Sequence, residues 1–265
     1  MNTTYPFFSK DSVPDPFYAC IRDDPSRKNA RDFVEKRWQE YAPYAEPEFL
    51  EDAKRDFHAK TWEMYLACVF LKNGFQLQRK TKKEGPDICL LTQSKPIWIE
   101  AIAPGPGTGA DAVPGYQWGV CYDEKPIDKV LLRFTSAIEE KHKIYQNYKI
   151  INKSDPYIIA VNGGRVSHAI VVDIVSGLFR CEYRNTIKKS NDAPVSTNIF
   201  KDETYNGISA VIYSYSNVVT HPKNIGTEIQ FIHNHIAKNK LPLGIFQFGR
   251  EWWMENEELK GKKWG

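Results

Sequence analysis

The chain has 265 residues, of which 42% are hydrophobic and 13% aromatic, enough to bury a full core as one large domain or one with an appendage. A formal charge of +3 is near neutral, so the chain as a whole is no polycation, although a local basic cleft fits inside such a total. Cys20, Cys68, Cys89, Cys121 and Cys181 are odd in number, widely spaced and never in a CxxC pair, which argues against a disulfide framework and a structural zinc site. The opening MNTTYPFFSK lacks the apolar core of a signal peptide, and no run approaches the ~18 apolar residues that cross a membrane. The expectation is a soluble, cytoplasmic protein with no membrane partner.

Residues 1–45 are polar and interrupted by Pro14, Pro16, Pro25 and Pro43; one helix is predicted there, over 26–41, and the segment reads as an N-terminal wrap. Residues 46–265 read as the main domain, with a core over 46–161 and a C-terminal extension over 162–265. Residues 46–73 predict a long helix ended by Gly74, apolar on all sides from Met64 to Leu71 and therefore a core element. Glu63 stands just ahead of that run. Strands are predicted over 75–79, 88–91 and 97–102, with a turn over 92–96. The glycine- and proline-rich 105–125 segment is too long for an idle connection. It contains GPGTGAD but no Gly-Lys-Ser/Thr ending, so it is not a phosphate loop.

A second amphipathic helix is predicted over 126–148, with Ile127, Val130, Leu131, Phe134, Ile138, Tyr145 and Tyr148 on one face. Lys141 projects into the middle of that face, where its ammonium either snorkels out along its stem, the usual outcome, or meets a buried carboxylate cluster, and Arg133 lies on its flank. A strand over 157–161, a helix over 167–179, a strand over 208–215, a helix over 228–237 and a last strand over 243–248 complete the order. His233-Asn234-His235 spells HNH by letters only, because residues two apart on a helix point in different directions. Strands alternate with helices, which predicts an α/β fold with a mixed sheet.

The acids gather on successive elements: Glu63 on the core helix, Asp87 at the start of one strand, Glu100 inside the next. Carboxylates on rigid neighbours can converge on a hard cation; equally, Asp87 can open a strand after a turn, and Glu100 can face water. The order helix, Pro86-Asp87 strand, Glu100-Ala101 strand and following helix resembles the PD-(D/E)XK nuclease superfamily, over about 46–161. The resemblance implies a restriction-endonuclease-like fold, a central mixed sheet flanked by helices. It further implies metal-dependent hydrolysis of phosphodiesters, in DNA ahead of RNA. Asp87, Glu100, the Ala101 carbonyl and Glu63 would hold Mg²⁺, or Mn²⁺ in its place.

The chain departs from the family pattern at Ile102, where a lysine is expected. Lys141 is the first choice for a displaced cation and Arg133 the second. If neither reaches the acids, the domain is a catalytically inactive module that binds nucleic acid or a protein. Arg79, Lys80, Lys82 and Lys83, just before the Pro-Asp strand, together with Arg133, could track a phosphate backbone, or the four could be a solvated strand end. Tyr116 and Trp118 could stack on bases or simply pin their loop, whereas Trp252 and Trp253 read as packing residues. A two-fold homodimer is the commonest oligomer, and no residue argues for it here.

Overall fold

The computed structural model describes residues 5–11, 13–82, 84–116, 125–179, 190 and 197–265. Their centre is an eight-stranded sheet whose spatial order follows the chain: β1 (Gln76–Leu77), β2 (Ile88–Leu91), β3 (Ile97–Ile102), β4 (Tyr157–Asn162), β5 (Ala210–Ser214), β6 (Gln230–His233), β7 (Arg250–Glu255) and β8 (Glu258–Lys263). Pairing is antiparallel for β1–β2, β2–β3, β5–β6 and β7–β8, and parallel for β3–β4, β4–β5 and β6–β7. The fold is thus α/β with a mixed sheet flanked by helices.

Alternation along the strands sends successive side chains to opposite faces. Ile97, Ile99, Ile158, Ala160 and Ile212 join one core cluster, with the helices that precede the sheet. Trp98, Tyr157, Ile159, Val161, Val211 and Tyr213 join another, with the helices inserted between later strands. The first layer contains α1 (Pro16–Asp23), α2 (Lys28–Tyr41), α3 (Phe49–Ala53) and α4 (Phe57–Lys72). The second contains α5 (Ile127–Tyr145) and α6 (Val171–Phe179). No helix among the described residues is long and apolar enough to cross a membrane.

Local chemistry accounts for the boundaries. The Asp15 side chain accepts from the Phe17 and Tyr18 amides, and Pro16 occupies the first turn, so α1 forms where the sequence suggested only irregular chain. The single helix expected over 46–73 is two helices. Asp56 leaves the helical region and its carboxylate accepts from Ala59 N, starting α4 afresh. Asp15 Oδ2 accepts from Phe57 N at 3.0 Å and ties the same turn to the N-terminal segment. Gly74, at φ +83°, follows the end of α4 as a left-handed residue must. Twelve of the sixteen residues of α4 are buried, which draws Glu63 into the core with its apolar neighbours.

Two C-terminal expectations are corrected. Residues 228–237 do not form a helix; their centre is strand β6, with neighbouring Phe231 and Ile232 entering opposite core clusters. Pairing to strands on both sides makes this segment a strand in place of the helix expected there. Residues 243–248 are not a strand. Gly244 and Gly249, at φ +76° and +69°, turn the chain there, and Phe246 plugs the core from a loop by stacking on Phe231. The last strands are instead β7 and β8, joined at Asn256 and Glu257 with φ +50° and +64°, a left-handed pair typical of tight hairpins.

Candidate active site

The β2–β3 register pairs Ile88 with Ile99, so Asp87, one residue before β2, falls across from Glu100. Directly opposed residues of an antiparallel pair share a face. The Ala101 amide donates to Asp87 Oδ2 at 2.8 Å and fixes that carboxylate at the strand end. Glu100 lies on the α5 side of the sheet and is buried. Its Oε1 accepts from Lys141 Nζ at 2.7 Å and its Oε2 from the Tyr148 hydroxyl at 2.9 Å. The cation that meets Glu100 is therefore Lys141, from α5. Arg133 is elsewhere: its Nε donates to Gly105 O at 2.9 Å and holds the loop after β3.

Glu63 has a matching arrangement on α4. Its Oε1 accepts from the Tyr41 hydroxyl at 2.6 Å and its Oε2 from Lys60 Nζ at 2.9 Å. Lys60 also donates to Glu46 at 2.9 Å, and Lys80 Nζ lies 3.5 Å from the other Glu46 oxygen. Each glutamate therefore carries one lysine and one tyrosine.

Burial pushes the Glu63 carboxyl up to about 7, and the Asp87 charge adds to the rise against the pull of Lys60 and Tyr41. Glu100 is raised in the same way, by burial first and by Asp87 second, with Lys141 and Tyr148 opposing. The common action of Asp87 on both glutamates puts the three acids in one electrostatic field. Burial alone would lower the two lysines; the carboxylates outweigh it and hold both above their ordinary value.

Among the described residues, no group of three or more His, Cys, Asp or Glu side chains is placed so that it could hold a metal ion. Each glutamate is instead turned to its own lysine. The donor chemistry nevertheless fits a hard divalent ion. The acids offer oxygen ligands, and each hydrogen-bonded glutamate oxygen keeps a further lone pair.

The basic residues ahead of β2 separate into different roles. Lys80 belongs to the buried Glu46 network. Arg79 and Lys82 are exposed and line a cavity of about 90 Å³ with Cys89, Trp98 and Ile150. Lys83 and Trp118 lie outside the described residues. Tyr116 is exposed, and its hydroxyl accepts from the His168 amide at 3.2 Å. His233 and Asn234 do structural work: His233 Nε2 lies 2.8 Å from buried Glu251, and Asn234 Nδ2 donates to the carbonyls of Tyr205 and Ile208.

Sequence reasoning missed Lys60, Tyr41, Tyr148 and Glu46 as parts of the site. Lys60 was legible as a cation one helical turn before Glu63. Tyr148 counted only as an apolar-face residue, and no local spacing links Tyr41 to Glu63.

Comparison of the chain with protein families, with curated proteins and with solved structures gives no match.

Proposed function

We propose that the protein is a metal-dependent nuclease of the PD-(D/E)XK type, hydrolysing phosphodiester bonds in DNA ahead of RNA. The observation that carries this reading is the Lys141 ammonium on Glu100, across the strand pair from Asp87, at the place where the family pattern asks for a cation and Ile102 cannot provide one. The order α4–β1–β2–β3–α5–β4, antiparallel through β3 and parallel from β3 to β4, supports the restriction-endonuclease-like assignment.

Asp87, Glu100 and the Ala101 carbonyl would hold Mg²⁺ or Mn²⁺, with Glu63 completing the set. Such an ion supplies charge neutralisation at the phosphate and a more acidic bound water. The chain's own residues do the rest. The Ala101 amide holds Asp87 in place, and Tyr148 orients Glu100. Lys60 and Tyr41 orient Glu63. Lys141 keeps a charged donor beside Glu100, where it can orient the attacking water by donating to its oxygen or offset phosphate charge.

The test is nicking of supercoiled plasmid in Mg²⁺ or Mn²⁺ by the wild type and Glu100→Gln. Cleavage by the first, reduced roughly 10²-fold or more in the second, is expected. A second reading, an inactive module of the same fold that binds nucleic acid or a protein, is favoured by Ile102 and by acids engaged with lysines rather than with one another. Absence of cleavage by the wild type on supercoiled, linear and single-stranded DNA and on RNA would select it.

A further inference from the structure

A cavity of about 700 Å³ lies between α2, the end of α4 and the loop that carries His221 to Ile225. That size falls within the roughly 300–1,000 Å³ of small-ligand sites. Its wall presents four cations, Lys36, Arg37, Lys72 and Lys223, against one carboxylate, Glu40. The lining therefore carries a net charge of +3, a local excess of cations that favours an anionic ligand.

The walls are built rather than incidental. Lys72 Nζ donates to Asn224 Oδ1 and, at 3.1 Å, to Ile225 O, which pins the loop bearing Lys223 onto the end of α4. The His221 ring stacks on Phe33, with centroids 3.7 Å apart and planes 10° from parallel, and fastens the same loop to α2. Arg37 is 8% exposed, bonded to Glu40 through Nη1 at 2.8 Å, and its buried Nε has no hydrogen-bond partner. Arg37 thus holds a fixed positive charge at the wall of the cleft, which attracts an oxyanion.

We propose that this cleft binds a phosphate-bearing ligand of nucleotide size, free or as part of a single strand. Phosphate matches a cluster of ammonium and guanidinium donors, whereas the charged wall would be left unpaired by an apolar ligand. Tyr44 forms one edge of the cleft, and its carbonyl accepts from the Lys80 amide at 3.1 Å. Lys80 in turn lies 3.5 Å from Glu46, which Lys60 links to Glu63. The proposal does not rest on the nuclease reading.

The test is equilibrium binding in EDTA, so that cleavage plays no part, with two probes: fluorescein-labelled oligothymidylate of about ten residues, and thymidine monophosphate. The wild type is compared with the double variant Lys36→Glu/Lys223→Glu, whose sites are both exposed and leave the core untouched; equal thermal midpoints check its fold. At least one probe should bind the wild type, and the double variant should bind roughly tenfold or more weakly. For the oligonucleotide, the slope of log affinity against log salt should also fall by about 1.4, the value for two lost phosphate contacts on a single strand. Much tighter binding of the oligonucleotide assigns the cleft to a strand, and equal binding assigns it to a free nucleotide. Failure of both probes to bind, or binding unchanged in a folded double variant, overturns the proposal. Failure of the nuclease reading would show only in the plasmid assay.

Discussion

Replacing Glu63 by glutamine isolates the cost of an ionised acid in the core. The Glu63 carboxyl is moved from 4.5 to about 7, by burial first and by Asp87 second. Because the folded-state value lies above the unfolded one, the native protein holds the extra proton between those two pH values. The stability tied to that proton is complete below pH 4.5 and is lost as pH rises through 7. The gap of about 2.5 pH units, at about 1.4 kcal/mol per unit, amounts to about 3 kcal/mol at pH 8. Glutamine is close in shape and never ionises. It also does not strand Lys60, which keeps Glu46 at 2.9 Å. Glu63→Gln should therefore be within about 1 kcal/mol of the wild type at pH 4.5 and more stable by about 3 kcal/mol at pH 8, in the absence of metal. Urea unfolding at half-unit pH steps measures this, with the slope m unchanged between the two proteins. Parallel stability profiles across pH 4.5–8 would refute the reasoning, because Glu63 would then carry no excess of burial and Asp87 repulsion over the help of Lys60 and Tyr41.

Three further outcomes follow from the same geometry. Tyr41→Phe removes a hydrogen bond that lowers the Glu63 carboxyl, so the midpoint of the wild-type pH–stability profile should move upward, read from the same urea series. Lys141→Met leaves Glu100 with Tyr148 alone, and should reduce plasmid nicking by roughly 10²-fold or more while Lys141→Arg retains part of it. Gly249→Ala would place a Cβ 2.4 Å from the Ile229 carbonyl oxygen at φ +69°, and should destabilise the fold by roughly 2 kcal/mol or more in urea.

Much of the central architecture was legible because it rests on local patterns. The apolar run after Glu63 marks α4 as a core helix, and Gly74 ends it as read. The 97–102 strand agrees with β3 to the residue, and the apolar face of α5 contains Val130, Leu131, Phe134 and Ile138 as its spacing requires. Lys141 stood out on that face as an ammonium among apolar neighbours, which either snorkels out or meets a carboxylate; Glu100 meets it. What escaped depends on contacts distant in sequence. Strand β6 is set by partners on both sides, which no local pattern displays. The β7–β8 hairpin turns at Asn256 and Glu257, and Glu257 is a residue type seldom found at positive φ. Tyr41 reaches Glu63 only because α2 packs on α4, so the N-terminal segment contributes a group to the site as well as covering the core.

The nuclease reading depends on whether these acids hold a cation. Calorimetric titration of Mg²⁺ and of Mn²⁺ into the wild type and Asp87→Ala at pH 8, with plasmid nicking followed in the same samples, measures it. That reading predicts saturable binding by the wild type that weakens on lowering the pH to 6, as the raised glutamates take up protons. It also predicts that binding and nicking are lost together in Asp87→Ala. No binding by the wild type with or without DNA, or equal binding by the variant, would contradict it.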